Sequence, residues 1–140
     1  MTYEEVKNLL KSVRSKKSRL LSMQAYIAEV RQIMLGVTSP QLDGVAVAHS
    51  QNNCPEERII RYMDRYNKWK ELYDKLFDEM CAEEDKLCEM MRTLSPTEYD
   101  IILNRYLMGF SVRKTANLMS YEEQTVKNMC RTAIKKMAKT

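Results

Sequence analysis

Two long heptad series, separated by a break, constrain this chain more than any other feature. In the first, Val6, Val13, Leu20, Ile27 and Met34 recur every seven residues. Leu9, Met23 and Val30 fill the interleaved positions, and only Lys16 interrupts them. In the second, Ile59, Tyr66, Tyr73, Met80, Leu87 and Leu94 recur, with Tyr62, Trp69, Leu76 and Met90 interleaved and Glu83 out of pattern. Such a seam is buried most simply against another helix of the same kind. Thr2 and Glu5 form a T-x-x-E capping pattern that opens the first helix, and Gly36 closes it. Pro55 suits the first position of the second, with Glu56 and Glu57 at the positive end of its dipole. The spacing predicts helices over about 2–35 and 55–94, the second running to about Thr93, roughly 60 Å. Between them, 36–54 contains Ser39, Pro40, Gly44, Ser50, Asn52 and Asn53 with no helical period, and reads as a long loop. Two such helices joined by one loop predict an antiparallel coiled-coil hairpin over 1–94.

The composition agrees. Three Gly and three Pro in 140 residues argue against a turn-rich β sandwich. No apolar run approaches a membrane span. The opening MTYEEVKNLLKSV has no apolar signal core, so a cytoplasmic location is expected. There, Cys54, Cys81, Cys88 and Cys130 stay reduced. Cys81, Cys88 and Cys130 read as small buried apolar side chains. With no C-x-x-C pair and a single histidine, His49, placed in the loop, no metal site and no cofactor is expected. The stripe Tyr62, Tyr66, Trp69, Tyr73 reads as core rather than a stacking platform for bases. The carboxylates Asp78, Glu79, Glu83, Glu84, Asp85 and Glu89 read as a solvated face, as do Arg14, Lys16, Lys17 and Arg19.

Residues 95–140 change character. Ser95-Pro96-Thr97-Glu98 is a helix start with a serine cap, a proline in the first turn and a glutamate three residues after the cap. Ile101, Ile102, Leu103 and Tyr106 give a short helix ending near Met108-Gly109. Ser111 caps a second, roughly Val112 to Met119. Ser120-Tyr121 is a tight connection, and a third helix runs from Glu122 or Glu123 to about Ala138. Three helices with short joints predict a helix-turn-helix domain, and the whole chain an all-α fold. At 100° per residue, Val126, Cys130, Ala133 and Met137 fall in one narrow arc. Gln124, Lys127, Asn128, Arg131 and Lys135 fall in the opposite arc, which carries no acid. Small Ala116 suits a close helix crossing, with Val126 packing back on it. Residues 95–140 hold eight basic and four acidic side chains, net +4, whereas 55–94 holds eight basic and eleven acidic, net −3. Basic charge thus gathers where a recognition helix meets phosphates.

These residues carry a resemblance. Leu94, Ser95, Glu98, Arg105, Tyr106, Gly109, Ser111, Ala116, Thr125 and Val126 stand at the spacing of the promoter-reading region four of sigma-70 factors. The last third of the chain resembles that region. Joined to a heptad-rich first part, it is similar to phage and prophage regulators of the ArpU/RinA-like kind. Two positions depart from the pattern: Thr115 stands where the family usually has Ile, and Glu122 where a Ser or Thr usually caps the recognition helix.

The resemblance implies a DNA-binding transcription regulator of phage late genes in a bacterial host cell. Gln124 and Asn128 are expected to bond adenine, and Lys127 and Arg131 guanine or phosphate. Arg113, Lys114 and Lys135 are expected to hold phosphates. Expected partners are double-stranded DNA, RNA polymerase, and a second copy through the heptad helices, with no membrane. Two alternatives stand beside this: an anti-sigma or polymerase-binding adaptor, and a DNA-packaging protein similar to small terminase subunits. No Gly-rich phosphate loop, nucleophile elbow or His pair is present, so an enzyme is not expected.

Overall fold

A computed structural model of the chain describes residues 1–36 and 55–140. These residues form five α-helices and one π-helical turn, with no strand among them. The helices are α1 (Tyr3–Met34), α2 (Pro55–Met91), α3 (Pro96–Ile102), α4 (Val112–Met119) and α5 (Glu123–Ala138); the π turn, Leu103–Leu107, continues α3. The loop read over 36–54, with His49 and Cys54, lies beyond Gly36 outside the described residues.

The helix ends form where local chemistry places them. The Thr2 backbone N–H donates to Glu5 Oε2 at 2.9 Å, and the Glu5 N–H donates to Thr2 Oγ1 at 3.2 Å. This capping box satisfies two N–H groups that the first turn leaves unpaired. Gly36 takes φ of 75°, the left-handed conformation that closes a helix cheaply only for glycine. The α2 helix stops at Met91, two residues short of Thr93, whose hydroxyl donates to the Met90 carbonyl at 2.9 Å. A second capping box, Ser95 with Glu98, opens α3.

The described residues gather into two units, Met1–Ser18 with Asp78–Thr140, and Arg19–Phe77. In the first, Val6, Leu10 and Val13 of α1 and Met80, Leu87, Met90 and Met91 of α2 are buried. Leu10 and Met91 lie outside the heptad series. They are buried because α1 and α2 share this unit with α3–α5, and a helix with several neighbours buries a stripe wider than one a/d seam. Lys16 and Glu83 are hydrogen-bonded, Lys16 also lies 3.9 Å from Glu79, and Lys17 lies 3.6 Å from Glu84. The basic and acidic stretches therefore neutralise each other in part, where the sequence suggested two solvated faces. Cys88 is exposed and Cys81 half-buried, against the expectation of buried thiols; Cys130 is buried. Leu87 takes the inward position, so Cys88 is turned about 100° away from it.

Among the described residues of the second unit, only Leu20 and Val30 are buried. The Tyr26 and Trp69 rings pack with centroids 5.0 Å apart. Tyr62, Tyr66, Trp69 and Tyr73 are half-buried rather than fully enclosed. Ile59, expected in the seam, is exposed.

Candidate nucleic-acid interface

The platform under the candidate interface is the packing of α3, α4 and α5. Ile101, Ala116, Val126 and Cys130 form one buried cluster, flanked by Tyr106, Val112, Met119 and Met129. Ala116 and Val126 meet in this core, as the spacing of a small residue against a valine requires. Ile134 completes the buried face of α5 and was not foreseen; it lies beside Ala133 at the edge of the predicted arc. Burial pushes the Cys130 thiol above its ordinary range, although Arg105 works in the opposite direction. This thiol is a packing group rather than a nucleophile.

The turn before α4 is built by Arg105. Its Nη1 donates to the Phe110 carbonyl at 2.7 Å, and the Phe110 N–H donates to the Asn104 carbonyl at 2.8 Å. Gly109 sits inside this turn at φ of 76°, with the Arg14 guanidinium packed where a Cβ would be. Both the conformation and the close approach require glycine there. Ser111 then accepts the Lys114 backbone N–H at 3.1 Å and starts α4. Ser120 at φ of 60° ends it, and α5 follows directly.

Every side chain assigned to the interface is exposed. Gln124, Lys127, Asn128, Arg131 and Lys135 line the outer arc of α5, while Val126, Cys130, Ala133 and Met137 line its buried arc. Gln124 Nε2 donates to Asn128 Oδ1 at 3.2 Å, so these two amides are already aligned on one face. Lys127, Arg131 and Lys135 make no ion pair among the described residues. Lys136, one residue further on, does: its Nζ lies 2.7 Å from Glu98. One α5 lysine thus serves the fold and three cations remain for an anionic partner.

Arg113 and Lys114 occupy a separate place, the first turn of α4, which holds no acid. Cations at the positive end of a helix dipole destabilise it modestly, so their placement favours an external anion there. The Lys114 ammonium sits 3.9 Å from the Phe110 ring centroid, a contact the sequence reading missed. The four-residue spacing of Phe110 and Lys114 was its only trace. Glu122 and Glu123 are also exposed, at the start of α5, and Glu122 makes no capping hydrogen bond with its side chain.

Among the described residues no group of three His, Cys, Asp or Glu side chains is placed to hold a metal ion. No helix among them is long and apolar enough to cross a membrane. No protein-family model, curated protein sequence or solved structure matches this chain.

Proposed function

We propose that this chain is a sequence-specific DNA-binding transcription regulator of the phage late-gene kind, acting in the cytoplasm of a bacterial host. In this reading α4 and α5 are the helix-turn-helix, and α5 enters the major groove with Gln124, Lys127, Asn128 and Arg131 at base edges. Arg113, Lys114 and Lys135 hold the flanking phosphates. The α1 and α2 helices form an antiparallel hairpin, a reading supported by Lys16 meeting Glu83 and Tyr26 meeting Trp69. That hairpin gives dimerisation or a grip on RNA polymerase.

The observation that carries the proposal is the division of labour along α5. Its inner arc is core, its outer arc is exposed and free of acid, and its one paired lysine is Lys136. The adaptor reading needs a free acidic surface on α2. Glu79, Glu83 and Glu84 lie against Lys16 and Lys17, which weighs against it.

Selection from a random-sequence DNA pool at two salt concentrations tests the proposal, with a Lys127→Ala/Arg131→Ala chain alongside. The expected result is an enriched motif, binding weakened by salt, and a loss of about 100-fold in the double variant. No enrichment and no salt-sensitive binding would sink it.

A further inference from the structure

The unit Arg19–Phe77 is short of core. Among its described residues Leu20 and Val30 are the only buried apolar ones, while Leu21, Tyr26, Leu35, Ile59, Ile60, Met63, Leu72 and Phe77 are exposed. That is little apolar burial for the described parts of two helices, and it leaves apolar side chains on their outer faces.

A second apolar series explains the deficit. Along α2, Ile59, Met63, Tyr66, Lys70, Tyr73 and Phe77 follow one another at intervals of four, three, four, three and four. At 100° per residue they fall within an arc of about 80°. This series shares Ile59, Tyr66 and Tyr73 with the seam identified in the sequence and adds Met63 and Phe77 on the uncovered side. Phe77 is 43% exposed and Met63 47%. Beside the series lie two adjoining open hollows that share Gln24, Ile27 and Tyr66, one reaching Lys70, Tyr73 and Asp74 and the other Arg31, Gln32 and Leu35.

We infer that this face is the interface with a second copy of the chain, the two α2 helices packing antiparallel about a two-fold axis between Tyr66 and Lys70. A second copy suits this face because the antiparallel pairing of the series with itself joins side chains of matching kind. An antiparallel partner sets Ile59 against the partner's Phe77, Met63 against the partner's Tyr73, and Tyr66 against the partner's Lys70. Ile59, Met63, Tyr73 and Phe77 then meet apolar or aromatic partners, in the self-complementary manner a two-fold interface demands. The one polar member, Lys70, meets an aromatic ring. Within one chain its ammonium already lies 5.9 Å from the Tyr66 centroid, so a cation–π seat is available on both sides of the axis. A single polar residue near the centre of such a seam fixes register and orientation. The inference stands independently of DNA binding.

Sedimentation of the full chain tests it first. The expected species has twice the chain mass of 16.5 kDa. A Met63→Glu/Phe77→Glu chain is expected to weaken association by about 100-fold or more and to keep its helical circular dichroism, since neither residue belongs to the series facing α1. A monomeric wild-type chain overturns the inference, as does a dimer that this variant leaves intact. Cross-linking tests the register independently, with the four native cysteines changed to alanine. An equimolar mixture of Ile59→Cys and Phe77→Cys chains is expected to form a disulfide-linked dimer, and each chain alone to form none. Efficient linkage of Ile59→Cys to itself signals parallel helices and overturns the geometry.

Discussion

Lys16 of α1 donates a hydrogen bond to Glu83 of α2, and each is the residue that breaks its own helix's heptad series. Both side chains are about one-fifth exposed, 22% and 23%. Burial pushes the Glu83 carboxyl up, but the hydrogen bond from Lys16, the Ser12 hydroxyl and the charges of Lys16 and Lys86 outweigh it and hold the group below its ordinary range. Glu83 Oε2 makes no hydrogen bond, and Lys16 is the cation nearest the carboxylate's other oxygen. Lys16→Met is therefore expected to cost about 1–3 kcal/mol. Lys16→Leu/Glu83→Leu is expected to be at least as stable as the wild type, because it removes two desolvated charges together. Urea unfolding of the three chains checks the order.

A second ion pair predicts how stability follows pH. Glu98 is buried, accepts the Lys136 ammonium at 2.7 Å and caps Ser95 at 3.2 Å. The Lys136 hydrogen bond holds the carboxyl below its ordinary 4.5, against burial, which pushes it up; Ser95 adds to the lowering. A carboxyl lowered in the folded state stabilises the protein above its unfolded value and stops doing so as pH falls through the folded one. Full stabilisation is therefore expected at neutral pH, with loss beginning as pH drops toward 4.5 and completing below it. Lys136→Met should cost about 1–2 kcal/mol at pH 7, discounted because the Lys136 side chain is 47% exposed. Its stability should also fall less as pH drops below 4.5, so that the two chains converge in acid. Thermal melts between pH 3 and 7 read both effects.

Thr115 is fully buried in α4 and its hydroxyl has no hydrogen-bond partner. This is the position where the resemblance leads one to expect Ile. A buried unpaired hydroxyl costs about 1–3 kcal/mol, and valine has the same shape without it. Thr115→Val is expected to raise the melting temperature by roughly 3–5 °C per kcal/mol regained. An unchanged or lower melting point would show that the hydroxyl is satisfied.

The helices were legible wherever a local signal fixes a boundary. Thr2 with Glu5, Ser95 with Glu98, and Ser111 mark starts through short side-chain contacts that sequence spacing specifies. The buried arc of α5 was legible because one helix face packs on one core. The burial of Leu10 and Met91, and the exposure of Ile59, were not. They depend on how many neighbours a helix has at a given level, and a heptad pattern assumes one partner along its whole length. The same limit hid the role of Lys136. It stands next to Lys135 in sequence, and only the position of Glu98 separates the lysine that holds the fold from the one that faces outward.

The turn between α4 and α5 carries backbone strain. Ser120 has φ of 60°, a left-handed conformation that costs an L-residue with a Cβ about 1 kcal/mol, while its N–H still closes the helix onto the Ala116 carbonyl. Ser120→Gly is expected to stabilise the chain by about 0.5–1 kcal/mol, the relief of strain exceeding the added freedom of the unfolded state. Ser120→Ala keeps the strain and is expected to give no gain. Denaturant midpoints of the two variants separate the conformational effect from loss of the hydroxyl.

Glu122 joins stability to the proposed DNA reading at one position. It occupies the cap of α5 with extended backbone geometry and no side-chain hydrogen bond to the helix. Threonine there offers a short hydroxyl to an unpaired N–H of the first turn, worth about 1 kcal/mol. Its charge also matters, because the end of α5 that enters the groove in the proposed reading is the end carrying Glu122 and Glu123. Removing one carboxylate there lowers repulsion from phosphate. Glu122→Thr is therefore expected to raise the melting temperature and to tighten DNA binding several-fold at low salt, with the gain shrinking as salt rises. Glu122→Gln removes the charge without supplying the short hydroxyl. It is expected to tighten DNA binding with little gain in stability. Melting curves and DNA titrations at two salt concentrations on both variants separate the two effects. A stabilised Glu122→Thr chain with unchanged DNA affinity would place the start of α5 away from the phosphates and contradict the proposed docking.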